Sequence, residues 1–377
     1  MQTDRTCASS VPVSDFADQE RSFKHAFEIL NNAVSSRAFP GAAAAVTHHG
    51  KLVALKAVGC FTYDTGSPRI TSQIIFDLAS VSKVLATTSM AMILCERGLL
   101  ALDTPIAGIV PEFVSGSNAS DFSRRRITPQ MLLAHSSGLP AYERLYQRAN
   151  TREELLSEAL SIPLKYGPGT DVEYSDIGFV ILGMALERIA EEPLDRFCER
   201  EVFGRLGMIN TVFNPRSGWK TRIAPTADDS VFRKRIIQGE VQDENASVMG
   251  GVAGHAGVFS TAGDVAIFAQ AMLNGGSPLV TRETLNVFTR RETAPPGTSR
   301  ALGWDTPSVP SQSGKYFSLT SFGHLGYTGT SLWIDPERQL SITLLTNRTW
   351  PDCTNQLIKE VRPRFHDAVI DDMGAAG

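Results

Sequence analysis

The sequence predicts an α/β (α+β) fold: an antiparallel sheet flanked by helices, built from both ends of the chain, with an all-helical domain inserted between them. Two observations predict this architecture. Strand patterns with tight turns lie near both chain ends, at about 42–58 and 331–347. Between them, most apolar residues recur at helical spacing, and Pro/Gly loops separate the segments. A sheet formed by the two ends would therefore carry the helices as an insertion.

The N-terminal elements follow from their local patterns. Apolar residues at helical spacing predict a helix over about 16–37, which Pro40 and Gly41 end. Two strand patterns, 42–47 and 51–58, then flank a turn at Gly50 and predict a hairpin.

Helices dominate the middle of the chain, and strands return near its end. A long apolar helix is predicted over about 81–97, followed by helices at 128–134, 152–161, 177–190 and 262–273. Residues 331–334 and 339–347 predict a second hairpin, and 352–369 a last helix that contains Pro363. Apolar and hydroxyl side chains alternate over 340–344, which predicts a strand with one buried face.

We predict one catalytic unit over residues 16–377. A sheet lobe would comprise 16–78 and 290–377, and a helical lobe 79–289. Residues 1–15 are predicted to be disordered.

Composition narrows the class of protein. Of 377 residues, 42% are hydrophobic and 20% charged, which suits a globular protein with a large core. The 36 basic and 40 acidic residues give a net charge of -4, which argues against nucleic-acid binding. No apolar run approaches the length of a membrane span, and we expect no transmembrane segment.

Five scattered cysteines without a CxxC pair, and an N-terminus without an apolar signal segment, predict a cytoplasmic protein. It would be exported if a leader had been removed.

The sequence lacks the motifs of several classes of enzyme. The sequence contains no HExxH and no Cys/His pattern with zinc spacing, and no Gly-rich phosphate loop. We therefore expect no metal and no cofactor. G-x-S-x-G is also absent, so a serine hydrolase would need another arrangement than the nucleophile elbow.

Ser80 and Lys83 form an S-x-x-K motif at the start of the long apolar helix. Residues three apart share a helix face, so the lysine amine would lie near the serine hydroxyl and help to activate it. Backbone N–H groups at the helix start would suit a developing oxyanion. Ser80 as a simple helix N-cap is the alternative. Ser217 and Lys220 match the same motif in a Pro/Gly loop, which shows how weak the motif is alone.

Two further motifs follow in order. Tyr174-Ser175-Asp176 is the only Y-x-[ND] in the chain and precedes a predicted helix; a packed tyrosine with Asp176 as the N-cap is the alternative. His324-Leu325-Gly326 precedes the C-terminal hairpin, where an edge strand could line a site. A purely structural histidine is the alternative there.

These three motifs, in this order, resemble the serine β-lactamase and penicillin-binding protein superfamily. The resemblance is greatest to the branch of class C β-lactamases, DD-peptidases and esterases. It also covers the segments FDLASVSKVLATTSMAMILCERGLLALDTPI, ITPQMLLAHSSGLP, PGTDVEYSDIGFVILGMALERI and GHLGYTGTSLWIDPE, and extends from about 20 to 365.

The resemblance implies a β-lactamase/DD-peptidase-like fold with the site between sheet and helical domain. Ser80 would be the acylated nucleophile, and Lys83 and Tyr174 would share proton transfer, with Tyr174 as general base. The backbone N–H groups of Ser80 and Tyr327 would form the oxyanion hole. His324 would lie across the cleft, near a substrate carboxylate or the tyrosine. The deacylating glutamate of class A enzymes is not visible, so Tyr174 would also activate water.

Two residues depart from the commoner family pattern. Asp176 stands where Asn is usual and, when ionised, cannot donate a hydrogen bond. His324 replaces the lysine of β-lactamases and removes a permanent positive charge. Both departures argue against efficient β-lactam hydrolysis.

The segment GEVQDENASVMGGVAGHAGVFSTAGD resembles a sub-branch with amidases that act on muropeptides. Two interpretations of its polar side chains stay open: they shape a substrate wall, or they cap and brace a loop. The residues concerned are Asp243, Glu244, Asn245 and His255.

We therefore predict a serine hydrolase that cleaves amide or ester bonds through an acyl-enzyme. Its partner would be a small molecule or peptide, with a D-amino-acid peptide or a muropeptide as candidates. The alternatives are a carboxylesterase or weak class C-like β-lactamase, and a non-catalytic binding relative of the fold. The sequence leaves the oligomeric state open.

Overall fold

The computed structural model describes residue 16 and residues 18–374. The predicted disorder of 1–15 lies outside these residues, as does Cys7. Within the described part the strands are β1 (Gly41–His48), β2 (Lys51–Gly59), β3 (Phe76–Asp77), β4 (Val212–Phe213), β5 (Ala227–Asp229), β6 (Arg235–Ile237), β7 (Val258–Ser260), β8 (Phe322–Leu325), β9 (Ser331–Asp335) and β10 (Leu340–Thr346).

The α-helices in the same part of the chain are α1 (Gln19–Ser22), α2 (Lys24–Ser35), α3 (Ser89–Glu96), α4 (Pro129–Leu133), α5 (Arg152–Ser161), α6 (Asp176–Ala190), α7 (Leu194–Cys198), α8 (Gly204–Leu206), α9 (Glu244–Val248), α10 (Ala262–Leu273), α11 (Arg282–Thr289) and α12 (Ile358–Gly374). Short 3-10 and π-helical segments join several of them. The last helix begins at Ile358 and contains Pro363.

The main sheet has five antiparallel strands in the order β2-β1-β10-β9-β8. The first two come from the N-terminal part of the chain and the last three from the C-terminal part, which confirms the prediction of a sheet built from both ends. In the register, Ala45 of β1 faces Leu55 of β2 on one side and Thr343 of β10 on the other. β8 is the edge strand of this sheet. On its outer side Gly323 forms a single antiparallel bridge with Asp305, and the part of the strand beyond this bridge can border a cleft.

The prediction that β10 has one exposed face is wrong. Leu340, Ile342 and Leu344 pack in the core under α2 and α12, while the opposite face lies beneath α10. Ser341 and Thr343 on that face are fully buried. Ser341 shares a 2.6 Å hydroxyl–hydroxyl hydrogen bond with Thr47, whereas the Thr343 hydroxyl has no hydrogen-bond partner among the described residues. Alternation of apolar and hydroxyl residues therefore marks two buried faces here.

The insertion between β2 and β8 is mostly helical. It also contains β3, β7 and β4, which form a small antiparallel sheet in that order, and the hairpin of β5 and β6; the sequence patterns did not predict these short strands. One of its helices, α10, packs against β1, β9 and β10. The division into lobes at 78/79 and 289/290 stays a prediction.

Two further properties concern the described residues as a whole. None of their helices is both long enough and apolar enough to cross a bilayer. Cys60, Cys95, Cys198 and Cys353 are all free thiols.

Candidate active site

A cleft of about 740 Å³ opens beside the outer edge of the main sheet. Side chains from β8, from the segment before α3, from the start of α6 and from the loop before α9 line it. All but one of the site residues predicted from the sequence border this cleft: Ser80, Tyr174, Asp176, His324, Gly326 and Tyr327. The exception is Lys83, which lies fully buried beneath Ser80.

Ser80 begins a continuous helical run. A 3-10 turn at Ala79–Val81 leads into a π-helical segment at Lys83–Thr88 and then into α3. Because Ser80 and Lys83 are three residues apart on this run, they share one face, as predicted. The second S-x-x-K match behaves differently: Ser217 and Lys220 are exposed on a short turn without buried residues.

Three acceptors hold the Lys83 amine. Its Nζ donates to Ser80 Oγ at 2.9 Å, to Asp176 Oδ1 at 2.6 Å and to the His255 carbonyl at 3.1 Å. Burial is the strongest influence and lowers the pKa of Lys83, but the charges of Asp176 and Tyr174 and hydrogen bonds to them outweigh it, so the pKa is raised. Lys83 is therefore an ammonium ion at neutral pH and cannot itself take a proton from Ser80.

Asp176 does not cap α6, contrary to the alternative interpretation of this residue. Ser175 is the N-cap, and its Oγ accepts the N–H of Gly178 at 3.0 Å. The Asp176 carboxylate is thus free to pair with Lys83. Close packing of α6 on the loop before β7 supports this arrangement, because a Cβ on Gly183 would lie 2.9 Å from Gly254 Cα.

Tyr174 lies half-buried among charged and aromatic groups. Its ring is 4.6 Å from the His135 ring and 5.9 Å from the His324 ring, measured between centroids. Lys83 Nζ and the Arg300 guanidinium lie 4.9 and 5.4 Å from its ring centroid. Burial, opposed by the charge of Lys83, raises the pKa of the Tyr174 hydroxyl. The resting side chain is therefore a neutral phenol.

His324 lies on the edge strand β8 and is buried. Its Nδ1 is 2.8 Å from the Leu325 carbonyl, which can only accept, so Nδ1 carries the proton. Burial and the charges of Lys83 and Arg300 hold the pKa of His324 well below its ordinary value. The ring is therefore neutral, and its bare Nε2 has no partner among the residues that the structure describes. His324 does not replace the positive charge of a lysine.

Gly326 brings the turn after β8 against the nucleophile segment. A Cβ at this position would lie 2.4 Å from the Leu78 carbonyl oxygen and 1.9 Å from Thr330 Oγ1. Only glycine permits this approach without displacing backbone. The Gly326 N–H donates to the Thr330 carbonyl at 2.7 Å and closes the turn that contains Tyr327.

The polar segment before β7 braces a loop, and part of it also borders the cleft. Asp243 caps α9 through the Ala246 N–H at 2.7 Å, and His255 Nε2 lies 2.8 Å from its carboxylate. Asp243, Glu244 and His255 also line the cleft. Asn245, by contrast, is buried and binds backbone groups of Tyr146 and Glu143, so it braces the loop.

Three residues beside the site were not singled out from the sequence. His135 accepts the Ser175 N–H on Nδ1 at 3.0 Å while its ring packs on Tyr174. Arg300 covers the Tyr174 ring, and Asp77 binds the backbone before Ser80. His135 and Asp77 stand within segments that carried the family resemblance, which is the one available signal; nothing local marks Arg300.

No group of three or more His, Cys, Asp or Glu side chains within residues 18–374 is arranged to hold a metal ion.

Comparisons with known proteins identify the family of this chain. Residues 23–357 match the Beta-lactamase family. The chain is 33% identical to an N-acetylmuramyl-L-alanine amidase of Bacillus subtilis (strain 168), over 82% of this chain and 77% of the relative. It is 34% identical to a putative D-alanyl-D-alanine carboxypeptidase of Escherichia coli (strain K12), over 74% of this chain and 70% of the relative.

Solved structures share the fold. EstCE1, a hydrolase with promiscuous acyltransferase activity, superposes with a TM-score of 0.76 at 20% identity, covering 94% of this chain and 100% of that one. A penicillin-binding protein homolog from Caulobacter crescentus gives 0.74 at 17% identity, covering 96% and 98%. The protein is a serine hydrolase that acts on amide or ester bonds. The chain belongs to the β-lactamase family.

Proposed function

We propose that Ser80 is the nucleophile of this hydrolase and forms the acyl-enzyme. The observation that carries the proposal is the contact of the buried Lys83 ammonium with Ser80 Oγ at 2.9 Å, at the mouth of the cleft. An ammonium ion that donates to the hydroxyl oxygen stabilises the negative charge that develops there as the proton leaves.

Tyr174 is the proton acceptor in this proposal. Ser80 Oγ bonds to the carbonyl carbon of the substrate, its proton passes to the Tyr174 oxygen, and Tyr174 later gives a proton to the leaving group. Because the resting phenol is neutral, only the small ionised fraction of Tyr174 can act as the base. Lys83 and Arg300 lie close enough to stabilise that phenolate. The same group would activate water for deacylation.

The backbone N–H groups of Ser80 and Tyr327 would bind the oxyanion. The close approach of Gly326 to Leu78 supports this, because it places the turn with Tyr327 beside the segment that leads into Ser80. The hydrogen bond that closes the turn would limit its movement during the reaction.

The substrate class that we propose is an amide of a cell-wall peptide, either a muropeptide or a peptide with D-amino acids. The names of the Bacillus subtilis amidase and the Escherichia coli carboxypeptidase support it. Penicillin-type substrates fit less well, since Asp176 offers only acceptors while it is ionised and His324 is neutral. A cytoplasmic location stays a prediction that cell fractionation would test.

Covalent labelling with a fluorescent fluorophosphonate tests the nucleophile. Wild type and Ser217→Ala should label equally, whereas Ser80→Ala should not label and should unfold at nearly the same temperature as wild type. Labelling that persists in Ser80→Ala, or maps to another serine, would refute the assignment. Turnover of muropeptides, D-Ala peptides, p-nitrophenyl esters and nitrocefin, measured side by side, then tests the substrate class; faster turnover of nitrocefin than of the peptides would contradict it.

A further inference from the structure

The Asp77 carboxylate is buried beneath the segment that leads into Ser80, with 1% of its surface exposed. Its Oδ1 accepts the N–H of Ala79 at 2.8 Å, and its Oδ2 accepts the N–H of Gln242 at 2.6 Å. Its backbone carbonyl accepts the Thr328 hydroxyl at 2.8 Å. One residue therefore joins the nucleophile segment, the loop before α9 and the turn after β8.

The first of these bonds acts on a strained backbone. Ala79 has a φ of +47°, a left-handed conformation that is unfavourable for a residue with a side chain. Ser80 follows directly, so the conformation of Ala79 sets the direction in which the serine side chain leaves the chain. A hydrogen bond to a carboxylate is stronger than one to a neutral acceptor, and this one opposes relaxation of Ala79.

The second hydrogen bond, from the Gln242 N–H to Asp77 Oδ2, acts on the loop that contacts Lys83. Gln242 precedes Asp243, whose carboxylate pairs with His255 Nε2 at 2.8 Å. The His255 carbonyl in turn accepts a hydrogen bond from Lys83 Nζ at 3.1 Å. By fixing the Gln242 backbone, Asp77 supports the loop that holds one of the three acceptors of the lysine.

We propose that Asp77, as a carboxylate, is a positioning residue that orients Ser80 and the wall of the cleft behind Lys83, and that protonation of Asp77 in the folded enzyme lowers activity. The proposal rests on Ser80 being the nucleophile. Asp77 touches no substrate; it acts through the backbone of its neighbours.

The surroundings of Asp77 bring its pKa into a pH range in which the enzyme can be assayed. Burial is the main influence and raises the pKa of Asp77 to about 6 from 3.8. The charged groups that act on it are Asp243 on the loop before α9 and Arg233 in the turn between β5 and β6. Lys83, on the nucleophile run, is paired with Asp176.

Activity and stability should respond to acid in opposite directions. A carboxyl with a raised pKa prefers its neutral form in the folded state, so Asp77 favours folding more as the pH falls through about 6 towards 3.8. The same protonation weakens the hydrogen bonds to Ala79 and Gln242. An acid loss of activity without an acid loss of stability would therefore separate this effect from acid unfolding.

The test measures kcat and KM for a p-nitrophenyl ester, and the unfolding temperature, from about pH 4 to about pH 8, in wild type, Asp77→Asn and the exposed control Asp64→Asn. Ionisation of Tyr174 alone changes kcat about tenfold per pH unit, so wild type and the control should lose kcat about a hundredfold per pH unit below about pH 6, where Asp77 is also protonated, with the fold intact. Asp77→Asn should have a kcat lowered about tenfold or more at neutral pH, since its amide nitrogen would face one N–H donor. It should keep only the roughly tenfold loss per pH unit that Tyr174 contributes, without a steeper acid limb below about pH 6.

An Asp77→Asn variant with the kcat and acid limb of wild type would overturn the proposal. If that variant does not fold, wild type alone decides: a decline of kcat that is no steeper below about pH 6 than above it would refute the proposal, and a steeper decline below about pH 6 with an unchanged or higher unfolding temperature would support it. Labelling of Ser80→Ala keeps the two proposals apart. Retained labelling there refutes Ser80 as nucleophile, whatever Asp77→Asn does.

Discussion

Lys83 Nζ lies 2.6 Å from Asp176 Oδ1, and this ion pair lies beside the serine hydroxyl. The family pattern more often has Asn at the position of Asp176. A carboxylate here stabilises the ammonium form of Lys83, whereas an amide would leave the lysine freer to lose its proton. The pair therefore decides which side chain of the site can serve as a base.

Replacing Asp176 with Asn should change the chemistry more than the fold. Ser175 is the helix cap, so α6 keeps its N-terminus. The pKa of Lys83 should fall because the charge that raises it is gone. We expect the pH–rate profile to move to lower pH and nitrocefin turnover to rise roughly ten- to a hundredfold, equivalent to about 1–3 kcal/mol. Ester and nitrocefin kinetics that both match wild type would contradict this expectation.

The acylation rate should increase with pH, because Tyr174 must be ionised to act as the base. Its pKa is raised, so the fraction of phenolate grows with each pH unit through neutrality and above. The rate of acylation by a fluorophosphonate should rise from about pH 6 to about pH 9 without levelling off. Tyr174→Phe should remove the rise and slow acylation about a hundredfold or more, while the circular dichroism spectrum stays unchanged. A plateau near neutral pH in wild type would show that another group is the base.

His135 should support Tyr174 indirectly. In His135→Phe the ring contact with Tyr174 can persist, but the Ser175 N–H loses its acceptor. An unsatisfied buried donor costs about 1–3 kcal/mol, so the unfolding temperature should fall by several degrees. The kcat should fall with little change in KM, because the base moves while the rest of the cleft stays. Measured stability and kcat equal to those of wild type would remove His135 from the site.

Gly326→Ala should separate the turn after β8 from the nucleophile segment. The added methyl group would overlap the Leu78 carbonyl oxygen, and the backbone must shift. We expect a loss of activity of about a hundredfold and a loss of stability of about 1–3 kcal/mol. Gly218→Ala is the matched control, since a Cβ there meets no atom within 4 Å. Equal activity of the two variants would argue against a tight turn at Gly326.

Much of the fold could be read from the sequence because its signals are local. The period of the apolar residues predicted the hairpin of β1 and β2, helices α5 and α10, and the C-terminal hairpin close to their observed bounds. The short strands β3 to β7 escaped prediction, because elements of two or three residues have no period to detect. The sequence also did not predict the burial of Ser341, since that burial depends on which element packs over the hydroxyl-bearing face of β10.

The sequence by itself predicted the family, the order of the three motifs and the motif residues that the structure places at the cleft, but not His135, Arg300 or Asp77 beside them. Ser80 and Lys83 share a helix face by spacing alone. Only the tertiary structure decided how the distant residues act on one another. The pairing of Asp176 with Lys83 spans 93 residues, and the carbonyl of His255 that completes the lysine's environment lies 172 residues away. Protonation states depend on burial and on charges brought together by folding, which no local pattern encodes.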